Sequence, residues 1–177
     1  EDKHYELLLT IHHALFDGRH HGNVILSRYE ILESKVIDIS LNPREQRAIL
    51  FAKLNTGHSI INCLCVHLNL LHRDRLKQYE LIESFIKKNK NKDDKYILAG
   101  DFNDWSQKAS LFLDLFEGYK KRHKKYAKTF PAPFPLFRLD RIYLSGLKPV
   151  HAEVLSNKSW KSLSDHLPIY IEVEDDI

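Results

Sequence analysis

Four stretches of this sequence join an apolar run to acids, amides or imidazoles: VHLN (residues 66–69), GDFND (100–104), LDRIY (139–143) and SDHLP (164–168). They put His67, Asn69, Asp101, Asn103, Asp104, Asp140, Asp165 and His166 at candidate strand tips. The most telling is YILAGDFND (96–104), where a core-type strand runs straight into two carboxylates and an amide. Carboxylates gathered there are unfavourable unless something offsets their desolvation. A divalent cation and a phosphate group can do that. Magnesium takes oxygen ligands in octahedral geometry and keeps several waters, so one or two carboxylates suffice, and manganese is the alternative ion. Attack on a phosphate ester also needs a positioned water and donors to the charge building on the phosphoryl oxygens. Imidazoles and amides supply that second need.

Each cluster alone has a plainer reading. GD can be a polar turn, and His67 a satisfied core histidine. Asp140, between Arg138 and Arg141, can be an ion pair, and SDH can be a helix-cap turn. The four together, in this order, point to phosphoryl chemistry. Side chains held at strand ends along one sheet edge would have a rigid support.

The elements that must position them follow from periodicity. VILS ends a short apolar run, and KVIDISL (35–41) alternates as a half-buried strand. Two β-rich runs flank NTGH (55–58), a hairpin with Gly57 in the turn. Residues 73–89 change period: Leu76, Tyr79, Ile82, Phe85 and Ile86 make one helical stripe, and Glu83 and Lys87 pair on the outer face. Ser106 suits the cap of a second helix over residues 106–119. TFPAPFPLF (129–137) has three prolines and is expected to be irregular, while RLDRIYLSG and LPIYIEV read as the last strands. Hairpins mixed with two or three helices indicate a layered α+β sheet protein.

The chain has 177 residues, 43% hydrophobic, which suits one domain over 1–177. A net charge of +3 excludes little, but two basic runs, 87–95 and 119–128, suit solvated loops or a surface that attracts phosphate-bearing substrates or anionic membranes. Cys63 and Cys65 sit two apart in a strand, too close for an unstrained disulfide and too few for a zinc site. They read as packing residues, which suits a reducing, cytoplasmic setting. No apolar run is long enough to span a membrane.

The ordered set HGNVILSR, VHLN…RDRLKQ, GDFND, LDRIY and SDHLP resembles the endonuclease/exonuclease/phosphatase superfamily, the deoxyribonuclease I-like fold, over residues 20–173. TFPAPFPLFRLDRIYLSG looks like a bacterial branch of it. The resemblance implies a four-layer α/β/β/α sandwich of two packed mixed sheets and a magnesium-dependent phosphodiesterase or phosphatase. Its implied roles are Asp101 for the attacking water near the metal, Asn103 for the scissile phosphate, and His67 as donor to a phosphate oxygen. Asp165 would bind the metal directly or through water. His166 would stabilise the transition state, oriented by Asp140. Asn23, Arg28 and Asn69 would be substrate contacts, and Arg75 and Gln78 also match the motif.

One part of the pattern is missing. The family opens with a strand ending in Asn and another ending in Gln-Glu, whose Glu is the principal metal ligand. No Gln-Glu precedes His20, leaving only Glu1 and Glu6, and the chain contains no Met. The expectation is therefore a chain lacking the first strands of the fold, with weak magnesium binding and uncovered sheet edges. Three readings follow: a nuclease using the basic run along a phosphate backbone, a hydrolase of phospholipid or inositol phosphate touching a membrane through FPAPFPLF, and a non-catalytic binding module. The calcineurin-like phosphatases also begin a motif with GD, but their GNH and GHxH elements do not occur.

Overall fold

The computed structural model describes residues 6–9, 22–43, 45–91, 93–105 and 128–176. The expected helix over 106–119 and most of the second basic run lie outside them.

Five strands form the central sheet in the order β3 (Glu30–Asp38), β4 (Ala48–Asn55), β5 (Ile60–His67), β6 (Lys95–Asp101) and β7 (Asp140–Ser145). All pairings are antiparallel except β5 with β6. The β4–β5 turn is the expected hairpin, with Gly57 at φ +84° and Asn55 Oδ1 accepting its N–H. The strand expected from Lys35 begins earlier, as the nine-residue β3 with a bulge between Ile31 and Glu33. Its charged residues broke the apolar pattern because β3 ends the described sheet order, so one face holds Glu33 and Lys35 as an ion pair.

One face of the sheet is covered by α1 (His72–Asn89). The predicted stripe is the buried one: Tyr79, Ile82 and Ile86 join Ile49, Phe51, Leu64, Val66, Leu98 and Phe102, with Leu76 and Phe85 at the margin. Lys87 donates to Glu83 on the outer face at 3.0 Å. The other face packs on a hairpin of β8 (Leu147–Val154) and β9 (Ile169–Asp175). There Ile142, Leu144 and Leu147 meet Ile97, Ile169 and Ile171. A helix, two β layers and a second hydrophobic cluster are the α+β sandwich expected. Sequence pattern alone missed β8 and the short α2 (Lys158–Leu163), because LKPVHAEV carries Pro149 and a bulge that disguise its alternation.

β1 (Glu6–Leu9) and β2 (Val24–Ser27) form a separate antiparallel ribbon. Cys63 and Cys65 are half-buried, and burial pushes the Cys63 thiol up to about 12, as packing residues require.

Candidate active site

The catalytic candidates lie on one rung of the central sheet. His67 ends β5, Asp101 ends β6 and pairs with it in register, and Asp140 begins antiparallel β7 opposite Asp101. Strand alternation sends all three side chains to the face carrying the β8–β9 hairpin, since Ile97, Ala99, Ile142 and Leu144 share their parity and pack there. Phe102, one residue on, enters the opposite core.

Gly100 makes this register possible. A Cβ there would lie 1.9 Å from the Val66 carbonyl oxygen, and its φ is +142°. Only glycine lets β6 approach β5 so closely one residue before Asp101. Asn103 follows at φ +47°, and this turn aims its backbone N–H at Asp101 Oδ1, 2.8 Å away. Its side-chain Nδ2 donates to the Leu68 carbonyl at 2.9 Å.

His166 arrives from the turn between α2 and β9. Its Nδ1 is 2.7 Å from Asp140 Oδ2, which also accepts the Thr129 hydroxyl at 2.5 Å. A carboxylate acceptor fixes the Nδ1–H tautomer and leaves Nε2 for the cleft. The hydrogen bond to Asp140 raises the His166 pKa above the ordinary imidazole value, against an opposing effect of burial. Burial also lifts Asp101 above the usual carboxylate range; the Asn103 N–H works against this and the Asp140 charge adds to it. His67 Nε2 is 3.5 Å from Asp101 Oδ2. A cleft of about 380 Å³ opens beside Gly100, Asp140, Arg141, Ser164 and His166.

Among the described residues, Asp101, Asp140 and His166 form a group whose ligand-type atoms all lie within 4.8 Å of one another. Two carboxylates in a half-buried group, one with its pKa raised, are chemically suited to a divalent cation, so this donor set fits the metal the family uses. Asp165 stands outside that group. It is exposed and its Oδ1 lies 3.3 Å from Ser164 Oγ, although its charge still acts on His166. The turn sends His166 inward and its neighbour outward.

The three expected substrate contacts have other partners in the structure. Both amide hydrogens of Asn23 are used, on the carbonyls of Ala48 and Cys65, so it ties β2 to the sheet. Arg28 stacks on Tyr29, two residues before Glu30, which hydrogen-bonds Asn55 at the hairpin end of the sheet. That is the end opposite His67, roughly 20 Å away at strand rise. Glu6, opposite Ser27, is at that end too. Asn69 is fully buried: its N–H donates to Gln78 Oε1, and its Oδ1 accepts from Gln78 Nε2. Arg75 Nη1 donates to the Asn69 and Leu70 carbonyls. This network holds the β5–α1 turn beneath the site, a structural role for Asn69, Arg75 and Gln78.

Sequence reasoning missed three contributors. Thr129 fixes Asp140, and Arg47, just before β4, places positive charge near Asp101. The third is an aromatic wall: Phe130 lies 4.9 Å from the His166 ring, and Trp105 packs edge-on against Phe130 and Phe137. Only the proximity of Thr129 to a proline-rich turn hinted at the first, and single arginines carry no signal.

Residues 3–166 match the Endonuclease/Exonuclease/phosphatase family. The uncharacterized protein YbhP of Escherichia coli K12 is 35% identical over 189 residues, covering 98% of this chain and 74% of that protein, and the Shigella flexneri protein matches equally. Similar solved structures include an endonuclease/exonuclease/phosphatase from Bacteroides vulgatus (TM-score 0.77, 18% identity, 97% of this chain and 77% of that one). The mannosyl-6-phosphatase Bt3783 of Bacteroides thetaiotaomicron superposes at TM-score 0.72 with 20% identity, over 96% and 77% of the two chains. D. rerio TDP2 bound to a single-strand DNA product superposes at 0.70, also with 20% identity and the same coverages. The fold, the sequence match and the clustered site agree: this chain belongs to the Endonuclease/Exonuclease/phosphatase family, a family of phosphoesterases that generally depend on a divalent metal.

Proposed function

We propose that this chain carries a divalent-metal-assisted phosphoesterase site that hydrolyses a phosphodiester or phosphomonoester by in-line attack of water. One observation carries the reading: three strand ends and one loop bring His67, Asp101, Asp140 and His166 to a single rung.

Asp101 is the group that orients the attacking water and accepts its proton. One of its oxygens is occupied by the Asn103 N–H, which leaves the other toward His67. His166, held by Asp140 and kept protonated above the ordinary imidazole range, donates from Nε2 to a phosphoryl oxygen as charge builds there. His67 donates to the same phosphate from the neighbouring strand end. Asn103, anchored through Nδ2 on Leu68, has a second amide hydrogen for a phosphoryl oxygen. A divalent cation would be held by Asp101 and Asp140, with Asp165 acting directly or through water, and would supply Lewis-acid polarisation and charge neutralisation.

The test is hydrolysis of bis(p-nitrophenyl) phosphate and p-nitrophenyl phosphate with magnesium or manganese, and again with chelator. Asp101→Asn and His166→Ala each lower turnover by about 10²–10³, and chelation removes it. Turnover unchanged from the wild type in both variants would remove this mechanism.

A further inference from the structure

Large apolar side chains are exposed on four of the described segments that reach the catalytic end, while residues 39–47 carry none. Leu70 and Leu71 follow Asn69, two and three residues after Leu68, whose N–H binds the Asp101 carbonyl. Trp105 follows the Asn103 turn and donates its N–H to the Asn103 carbonyl. Phe134 and Leu136 cap the proline-rich turn whose Phe130 packs on His166. Leu163 ends α2 two residues before Asp165. Phe134 is 78% exposed and Leu163 72%, which neither core packing nor a closed pocket explains. Apolar groups projecting from separate loops around one site, rather than forming a groove, match a surface that meets a fluid apolar phase.

The charges near these loops have one dominant sign. Arg73 is 84% exposed, Lys128 and Lys161 are exposed, and Arg138 is half-exposed. Asp74 and Asp104 are buried, the latter against Arg141, so Asp165 is the exposed acid beside the site on these loops among the described residues. Cations interleaved with tryptophan, phenylalanine and leucine are the composition of an anionic lipid interface. No described helix is long and apolar enough to cross a membrane.

We infer that the catalytic end docks onto an anionic lipid surface, with Phe134, Leu136 and Trp105 entering the headgroup layer and the cations meeting lipid phosphates. Resting on the phosphoesterase reading, this makes the substrate class a phosphate ester of a lipid headgroup presented at that surface. Nucleic acid does not account for the exposed leucines, which have no base to stack on.

The experiment is co-sedimentation with vesicles of three parts phosphatidylcholine to one part phosphatidylglycerol. It compares the wild type, Phe134→Ser/Leu136→Ser and Asp101→Asn, with thermal melting and bis(p-nitrophenyl) phosphate turnover measured in parallel. The wild type and Asp101→Asn sediment with vesicles, and binding weakens as salt rises. The double variant binds about tenfold or more weakly, with melting and soluble-ester turnover unchanged. Equal sedimentation of the wild type and the double variant overturns the docking surface, as does sedimentation of neither. Loss of single-stranded DNA binding in the double variant, without vesicle binding by the wild type, overturns it in favour of nucleic acid. Vesicle binding without soluble-ester turnover supports docking and removes the catalytic reading alone. Turnover without vesicle binding removes docking alone.

Discussion

Replacing Gly100 with alanine tests the close approach that brings the catalytic rung together. The new Cβ would sit 1.9 Å from the Val66 carbonyl oxygen and 2.9 Å from its carbon, where real Cβ contacts stay beyond 3.0 Å. Both partners are backbone, so relief requires β6 to draw back from β5. The φ of +142° adds about 1–3 kcal/mol of strain for a side-chain-bearing residue. Each ladder hydrogen bond weakened by the separation contributes about 1 kcal/mol. The expected loss is therefore about 3 kcal/mol or more. Gly57→Ala is the internal control: its φ is +84°, but nothing lies within 4 Å of the added carbon, so only left-handed strain of about 1 kcal/mol remains. In urea the difference of about 2 kcal/mol separates the two midpoints by about 1 M. Turnover by Gly100→Ala should fall further than its folded fraction does, because Asp101 moves with the strand. Coincident midpoints for the two variants would refute the close approach and the alignment of the site built on it.

Two further outcomes follow from the site's electrostatics and its support. The pH–rate profile should have its acid limb above the ordinary carboxylate range, where Asp101 must lose its proton, and its alkaline limb above the ordinary histidine value, where His166 loses its own. The His166–Asp140 pair likewise contributes stability that is complete below the ordinary histidine pKa and lost as pH rises through the elevated folded value. Asp140→Asn should draw the alkaline limb down, and an unmoved limb would sink the pairing. Gln78→Leu strips partners from the Asn69 N–H, the Asn69 side chain and the Ile39 carbonyl, destabilising by about 3 kcal/mol or more. KM for a soluble ester should stay constant in the folded fraction. A raised KM with unchanged stability would restore Asn69 to the substrate.

The sequence was most legible where one element did one job. The α1 stripe, the Gly57 hairpin and the strand leading to Asp101 each carried a period or a turn residue that only one structure satisfies. Residues with two plausible partners were less legible. Asn69 looked like a cleft residue because it follows His67, yet a buried amide with Gln78 nine residues on finds all its partners inside the fold. Arg28 looked like a cleft residue by motif order, but β2 runs away from the rung and carries it to the far end. Asp165 and His166 are adjacent, and only the turn's backbone decides which one faces Asp140.

Strand direction explains why the motif could be read although its members are 99 positions apart, from His67 to His166. Parallel strands β5 and β6 deliver their last residues to the same edge, so His67 and Asp101 both follow apolar runs. Antiparallel β7 reaches that edge at its first residue, so Asp140 must come before its apolar run. His166 obeys the same rule, lying three residues before β9, whose hairpin covers the face that the rung's side chains occupy. A polar residue after one strand and before another is therefore what this topology requires, and it is the order in which the four clusters occur. A slip of one residue in β6 would keep every contact of the hydrophobic pattern within reach of repacking on the opposite face, yet would turn Asp101 into the α1 core beside Tyr79. A carboxylate there would be desolvated among apolar side chains, so that burial cost, together with the glycine at position 100, holds the register that creates the site.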